Sequence, residues 1–326
     1  MAADHNDRMH APSPPAALPE GAVRLAEWGL IRALGDDAAK FLHGQLTQDI
    51  EHLAAGQARL AGLCSVKGRL MASFVVWRPQ PTEVLLACSA DLLPAVLKRL
   101  SMFVLRAKCK LSDASAEFPL WGLAGASAVQ ALGNASPAAI WGQTAGRAGA
   151  ARAVIRLPDA VVDGLAVPRL LLAGTEPPTL PGLDLAAWQA YEVHSGVARV
   201  VAATAEQFVP QMVNLELVGG VNFQKGCFPG QEIVARSQYR GTLKRRSVVM
   251  SCPIALTPGS EVFHDADPDQ PAGMVVLAGA FPGRDPVALV EVKLAAMESG
   301  ALHAGAADGP LLSLGALPYT FPTEPA

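Results

Sequence analysis

The sequence predicts an α+β protein that closes with a small all-β domain. Three observations carry this. From residue 36 onward, strand-like apolar runs and amphipathic helical segments follow one another without a fixed repeat. After Arg246 only short strands separated by Pro/Gly turns remain, the signature of a small barrel. At 326 residues the chain also exceeds one typical domain.

The elements follow in order. Pro12, Pro14, Pro15 and Pro19 mark a loose tail over residues 1–19. A helix is expected from Asp36 to Leu53, with Asp36 as its cap, because Leu42, Leu46, Ile50 and Leu53 fall on one face. Apolar runs over 59–66, 69–77 and 82–88 read as strands, with a hairpin turn at Lys67-Gly68. A helix from about Asp91 to Leu105 tolerates Pro94 in its first turn. Strands at 106–111 and near 118–124, a short helix near 126–132, an Ala/Gly-rich loop over 133–150, and strands near 151–157 and 168–173 continue the chain. Asp184 caps a helix that runs to His194 and ends at Gly196. Strands near 246–251, 260–264, 272–278 and 286–294 make up the last domain.

Composition narrows the function classes. Apolar residues make up 51% and charged residues 17%, enough to bury a core and too apolar for disorder. The net charge of −3 excludes a globally basic nucleic-acid binder, so any basic surface is local. Five widely spaced cysteines with no CxxC argue against a disulfide scaffold and against a local zinc or iron–sulfur motif, and suit a reducing compartment. His43 and His194 have no partner at metal-ligand spacing, so no metal site is expected. Met1–Glu20 has no apolar leader and no run of 18 apolar residues occurs, so the expected location is the cytoplasm and no membrane is engaged. Gly122-Leu-Ala-Gly125 lacks dinucleotide-loop spacing and reads as a strand-to-helix turn.

Chemistry concentrates between Asn222 and Arg246. Gly226 and Gly230 let the backbone turn sharply and approach a ligand. Pro229 suits the start of a helix over Gln231–Gln238, which places Cys227 just ahead of that helix, with Lys225 two residues before it. The macrodipole and the lysine both favour a thiolate, and the free N–H groups suit a carboxylate or phosphate. Over 225–246, Lys225, Arg236, Arg240, Lys244, Arg245 and Arg246 oppose the single acid Glu232, a local charge of +5 that points to an anionic partner. The plainer readings are an inert core thiol and a solvated charged face. Glu192, one turn from Trp188, reads on position alone as a surface acid or a functional one.

Lys225-Gly-Cys-Phe-Pro-Gly-Gln-Glu232 resembles the K-G-C-[FY]-x-G-Q-E signature of the YgfZ proteins, folate-binding relatives of the aminomethyltransferase (T-protein) of the glycine cleavage system. Phe41–Asp49, Leu63–Arg69 and Phe208–Glu216 resemble the family's first helix, hairpin turn and pre-signature stretch, so the likeness runs from about residue 22 to 294. It implies a folate-binding core of two interleaved α+β subdomains with ferredoxin-like mixed sheets over 20–245, and a C-terminal β-barrel over 246–326. Together these would form a ring around a central channel.

The resemblance also implies tetrahydrofolate or a derivative as cofactor, and a role in making or repairing iron–sulfur proteins, tRNA-modifying enzymes among them. Cys227 and Lys225 are the catalytic candidates it carries, and Gly226, Gly230, Gln231 and Glu232 complete the signature as cofactor-binding candidates. Glu192 falls where the transferases contact folate, and its carboxylate suits the pterin's adjacent amine and ring N–H. Arg236 suits the glutamate tail. Arg240, Lys244, Arg245 and Arg246 are the candidates for contact with tRNA or a docking partner. Ala72 and Ser73 stand where the transferases carry an Asp pair, which argues against aminomethyl transfer. Folate-dependent one-carbon or redox chemistry, a folate-sensing or docking module without chemistry, and a true aminomethyltransferase are the alternatives left open.

Overall fold

A computed structural model describes residues 17–145, 153–175, 179–239 and 243–322. In chain order it begins with β1 (Gly21–Arg24), β2 (Trp28–Leu34), α1 (Ala38–His43), β3 (Ala58–Cys64), β4 (Leu70–Gln80), β5 (Glu83–Ser89) and α2 (Leu93–Phe103). It continues with β6 (Lys110–Asp113), β7 (Leu120–Ala124), α3 (Ala126–Leu132), β8 (Gln143–Ala145), β9 (Ala153–Val162), β10 (Leu165–Ala173) and α4 (Leu185–His194). Then come α5 (Gln231–Tyr239), β11 (Arg245–Ser251), β12 (Glu261–His264), β13 (Asp267–Gly279), β14 (Val287–Lys293), β15 (Leu302–Ala304) and β16 (Ser313–Leu314).

These strands form three sheets, ordered β3-β4-β5-β2-β6, β1-β7-β10-β9-β8 and β15-β12-β13-β14-β11-β16. The first two interleave: the chain enters one at β1, builds the other from β2 to β6, and returns at β7. Strand pairing is antiparallel, and among the described residues the parallel component is a single bridge, Ala22–Gly182. The third sheet curls toward closure, because residues 310–312, leading into β16, bond back to β15. Leu312 N–H donates to the Leu302 carbonyl at 2.8 Å and Ala304 N–H to that of Pro310 at 2.9 Å.

The hairpin at Lys67-Gly68 forms as expected, with Gly68 at φ +70° and its N–H bonded to the Ser65 carbonyl. Pro94 sits in the first turn of α2. Several boundaries differ from the sequence reading. The helix expected over Asp36–Leu53 is only α1, six residues long, with Asp37 rather than Asp36 at the cap position. Leu42, Leu46, Ile50 and Leu53 are all buried, but the chain leaves the helix after Gly44 because Leu46 and Thr47 pair with β3. Tertiary pairing overrides the helical period there. The strand expected over 106–111 starts at Lys110, after a turn in which Leu105 has φ +39°. The loop over 133–150 carries a short 3-10 turn and β8, and its residues 146–150 lie outside the described residues, as does most of the tail. Asp184 occupies the cap position of α4, but its side chain makes no capping bond.

Helix α4 joins the sheets. Its Trp188 ring lies over Gly122 of β7, where a Cβ would come within 2.6 Å of the indole. On its other side the α4 backbone meets Gly279 at the end of β13, where a Cβ would stand 2.1 Å from the Ala190 nitrogen. Ala280 N–H then donates to the Ala186 carbonyl at 3.0 Å, tying the barrel strand to the helix. Because backbone rather than a flexible side chain fills the space at Gly279, Gly279→Ala is expected to lower stability by roughly 1–3 kcal/mol. Urea unfolding monitored by circular dichroism measures this, and an unchanged midpoint would contradict the packing argument.

Candidate functional site

Elements of all three sheets enclose a line of cavities. The outer one, about 420 Å³, is lined by Gln48, Arg59, Leu60, Trp141, Gly219 and Asn222 among others. Leu60 and Trp141 also line a narrow passage of about 30 Å³, whose walls include Trp28, Ser73, Phe74, Arg169, Glu192 and Arg199. Glu192 and Arg199 in turn belong to the wall of a third cavity of about 620 Å³, which Glu27, Asp91, Gln189 and Leu277 also line. The two wide cavities fall in the size range of small-molecule sites and the passage does not.

At the passage sits a buried ion pair. Just after α4, Gly196, with φ +65°, turns the chain back so that Arg199 reaches Glu192. Nε donates to Oε1 at 2.9 Å and Nη2 to Oε2 at 3.1 Å, a two-pronged fork. Arg199 Nη1 bonds Ser89 Oγ at 3.1 Å, and the guanidinium stacks over Trp28. The neighbouring carboxylate of Glu27, in the wall of the large cavity, is held above its ordinary range chiefly by burial. Both Glu27 oxygens lack a hydrogen-bond partner among the described residues. Ser73, standing where the resemblance puts a transferase acid, presents a hydroxyl that accepts the Val200 N–H at 2.9 Å.

The signature lies elsewhere. Cys227 is exposed, just ahead of α5, whereas Cys64, Cys88 and Cys252 are buried and Cys109 is half-buried. Burial pushes the thiols of Cys64 and Cys88 up to about 12 and that of Cys109 up to about 11, which makes them poor nucleophiles. Lys225 reaches under the loop: its ammonium donates to the Leu46 carbonyl at 2.7 Å and to that of His43, and lies 5.2 Å from the Phe228 ring. Burial pulls it down to about 8 from the ordinary 10.5, against the opposing pull of Asp49 and Cys227. The close approach expected of Gly230 is to the protein's own hairpin: with φ +78°, a Cβ there would meet the Ser65 carbonyl oxygen at 2.3 Å. Gly226 faces His43, whose Nδ1 bonds Asp49. Gln231 folds back to accept the Phe228 N–H at 3.2 Å. Glu232 and Arg236 are exposed on α5.

The structure therefore separates what the sequence reading put together. Glu192 lines the passage, while Lys225, Gly226, Cys227, Gly230, Gln231, Glu232 and Arg236 line none of these three cavities. Asn222, at the start of the signature loop, does reach the outer one. The basic strip needs correction. Arg246 is buried and ion-paired to Glu216, and Arg245 grips the buried carboxylate of Glu291, its Nη2 at 2.9 Å from Oε2. These cations serve the core because β11 pairs with β14, which carries Glu291, and packs against the 210–216 segment, which carries Glu216. Lys244 is exposed, and Arg240 lies outside the described residues. Among the described residues no group of His, Cys, Asp and Glu side chains is placed to hold a metal ion, and no helix is long and apolar enough to cross a membrane.

Sequence reasoning missed Arg199, Glu27, Trp141 and Arg169. Arg169 left a readable trace, a cation inside the apolar run Val167-Pro-Arg-Leu-Leu-Leu-Ala173. The others had none.

No family model matches the chain. It is 34% identical over 264 residues to the tRNA-modifying protein YgfZ of Edwardsiella ictaluri, covering 72% of this chain and 73% of that one. It is 33% identical over 233 residues to the tRNA-modifying protein YgfZ of Vibrio vulnificus strain YJ016, covering 70% and 69%. Its fold matches the glycine cleavage system aminomethyltransferase T of Bartonella henselae with a TM-score of 0.64 at 17% identity, over 92% of this chain and 86% of that one.

The lowered Lys225 ammonium gives a direct test of the loop geometry. Acetylation of Lys225 by acetic anhydride, followed peptide by peptide with mass spectrometry, is expected to reach half its maximal rate near pH 8. An unperturbed lysine does so near about 10.4, and a Lys225 profile at that value would contradict its burial beneath the loop.

Proposed function

The chain belongs to the YgfZ family, and from that premise we propose that it binds tetrahydrofolate in the cavity line and supports iron–sulfur enzymes that modify tRNA. The observation that carries the folate reading is Glu192. Its carboxylate is fixed in position by Arg199, yet each oxygen keeps lone pairs for further donors. A pterin presents a ring N–H and an amine, and one of them can donate to a lateral lone pair that the Arg199 fork leaves on a Glu192 oxygen. Trp28, Phe74 and Trp141 supply flat apolar walls, and the large cavity beyond the pair offers room for the ring. Arg59, in the wall of the outer cavity, is better placed for an acidic tail than the exposed Arg236.

Bound tetrahydrofolate would supply a one-carbon or redox-active group, and this chain's residues would hold and orient it. Aminomethyl transfer is disfavoured, because Ala72 and Ser73 provide no carboxylate and the Ser73 hydroxyl is already engaged. That same observation favours the second reading, a folate-responsive module without turnover. In either case Cys227 is the thiol free to meet a partner, and contact with tRNA or tRNA-modifying enzymes falls to exposed groups such as Arg236 and Lys244, not to Arg245 or Arg246.

Calorimetry with tetrahydrofolate is expected to show binding to the wild type. For Glu192→Gln, which keeps the shape but loses the charge, the expected loss is roughly tenfold or more, with the circular dichroism spectrum preserved. Absence of binding heat and of ligand-induced stabilisation in the wild type would end the folate reading. The thiol is tested separately: Cys227→Ala is expected to keep the fold and tetrahydrofolate affinity but to fail to restore tRNA modification in a strain deleted for its own YgfZ. Full restoration would remove the thiol from the function.

A further inference from the structure

Where α2 ends, apolar side chains are left on the surface inside a ring of cations. The core face of this helix is filled by Leu93, Val96 and Leu100. Beyond them Met102 is 57% exposed, Phe103 44% and Leu105 87%. Leu105 also holds φ +39°, a left-handed conformation that suits glycine or asparagine and costs a leucine. Neither packing nor backbone preference calls for an apolar residue there. Leu34, 48% exposed, joins the group, because it pairs with Lys110 of β6, the strand into which the turn leads. Residues 98–110 carry Lys98, Arg99, Arg106, Lys108 and Lys110 and no acid, a local charge of +5. Lys98 and Met102, like Arg99 and Phe103, stand one helical turn apart, and the Arg99 guanidinium lies 5.3 Å from the Phe103 ring. Two acids face the group from the turn before α1. Asp36 lies 3.7 Å from the Lys108 ammonium, and Asp37 accepts the Lys108 N–H at 2.7 Å. Glu83, opposite Leu34, is taken up by Arg32. The face stays net positive with both aspartates counted, and among the described residues Lys108 is the one of its five cations that has an ion-pair partner.

We propose that this face rests on an anionic lipid bilayer, with Met102, Phe103 and Leu105 entering the boundary of the acyl chains and the surrounding cations meeting lipid phosphates. Tetrahydrofolate has no part in this contact. Charge complementarity calls for an anionic occupant, and the aliphatic side chains decide which. A nucleic acid would use the cations but gains little from leucine and methionine, since bases stack on aromatic faces and guanidinium planes. A protein partner is anchored by side chains that fill pockets, and none of the three cavities described above borders this face. A bilayer needs neither pocket nor register, and it takes apolar tips and a basic collar together. That no described helix is long and apolar enough to cross a membrane does not bear on a contact that lies on the surface. The expectation that no membrane is engaged rested on the lack of such a span, and this face revises it.

Flotation of the full chain with lipid vesicles tests this. The wild type is expected to float with phosphatidylcholine vesicles that contain about one-third phosphatidylglycerol, and to bind pure phosphatidylcholine vesicles about tenfold more weakly or less. Joint substitution Lys98→Glu and Arg106→Glu is expected to lower binding to the anionic vesicles about tenfold or more. Joint substitution Met102→Ser and Leu105→Asn is expected to lower it about fivefold, with the asparagine suited to the left-handed turn. All four positions are exposed, so the circular dichroism spectrum is expected to stay unchanged in both variants. No flotation of the wild type with anionic vesicles would overturn the proposal. So would equal binding to both kinds of vesicle, or binding that either double variant leaves intact. Filter binding of tRNA covers the other occupant. If the vesicles are not bound while tRNA is held by the wild type and released by the double charge reversal, the face belongs to a nucleic acid and the proposal falls.

Discussion

The geometry depends on how closely α4 can approach its two neighbours. A helix that carries a tryptophan on one side and exposes bare backbone on the other needs glycine at both contacts, and Gly122 and Gly279 provide it. The first lets an indole lie flat on β7; the second lets the barrel strand β13 touch the helix main chain. This double contact sets the distance between the core and the barrel. It also fixes Glu192, one turn after Trp188, at the boundary between the passage and the large cavity. The acid is placed by van der Waals contact before any charge interaction acts on it.

Electrostatics then divides the molecule's cations into two groups. Arg245 neutralises Glu291 of the barrel strand β14, and Arg246 neutralises Glu216 of the segment packed against β11. Removing either partner would leave a buried charge uncompensated, so these pairs act as fasteners of the sheet. Arg199 does the same for Glu192 but from the wall of a cavity. Among the described residues Arg169 has no ion-pair partner, although Glu192 and Asp159 act on it from farther away. The gradient from fully paired in the barrel to unpaired at the passage is the order expected if folding is secured at one place and binding capacity is retained at another.

How much of this was legible in the sequence depended on whether the signal was local. The Lys67-Gly68 hairpin, α2 with Pro94, and α5 after Pro229 were readable because turn chemistry and periodicity act within a few residues. The helix expected over Asp36–Leu53 failed for the opposite reason. Thr47 donates its hydroxyl to the Gly220 carbonyl at 2.6 Å while accepting the Gly62 N–H at 2.7 Å, partners far away along the chain. Buried leucines at helical spacing cannot reveal such ties. The basic strip misled in the same way: six cations against one acid read as a surface, because Glu216 and Glu291, which consume two of them, come from outside the window. Glu192 was found through resemblance, but its partner was not, since nothing in Val197-Ala-Arg199 announces that Gly196 turns the chain back.

The separation of Cys227 from Glu192 constrains any account of what the protein does. The segment from His43 to Asp49 is bonded to the signature loop. Lys225 bonds the carbonyls at its start, Gln48 donates to the Gly219 carbonyl at 2.7 Å, and Asn222 N–H donates to the Thr47 carbonyl at 2.9 Å. Gln48, Gly219 and Asn222 also line the outer cavity. The loop that presents the thiol is thus bonded to the wall of the cavity line, although the sulfur does not open into it. A reaction joining the carboxylate to the thiol would need a ligand long enough to thread the passage. A response to ligand needs only a shift of this braided segment. The narrowness of the passage, about 30 Å³ between cavities more than ten times larger, weighs toward the second, because an occupant that widens it moves Leu60 and Trp141, which also line the outer cavity beside Gln48, Gly219 and Asn222.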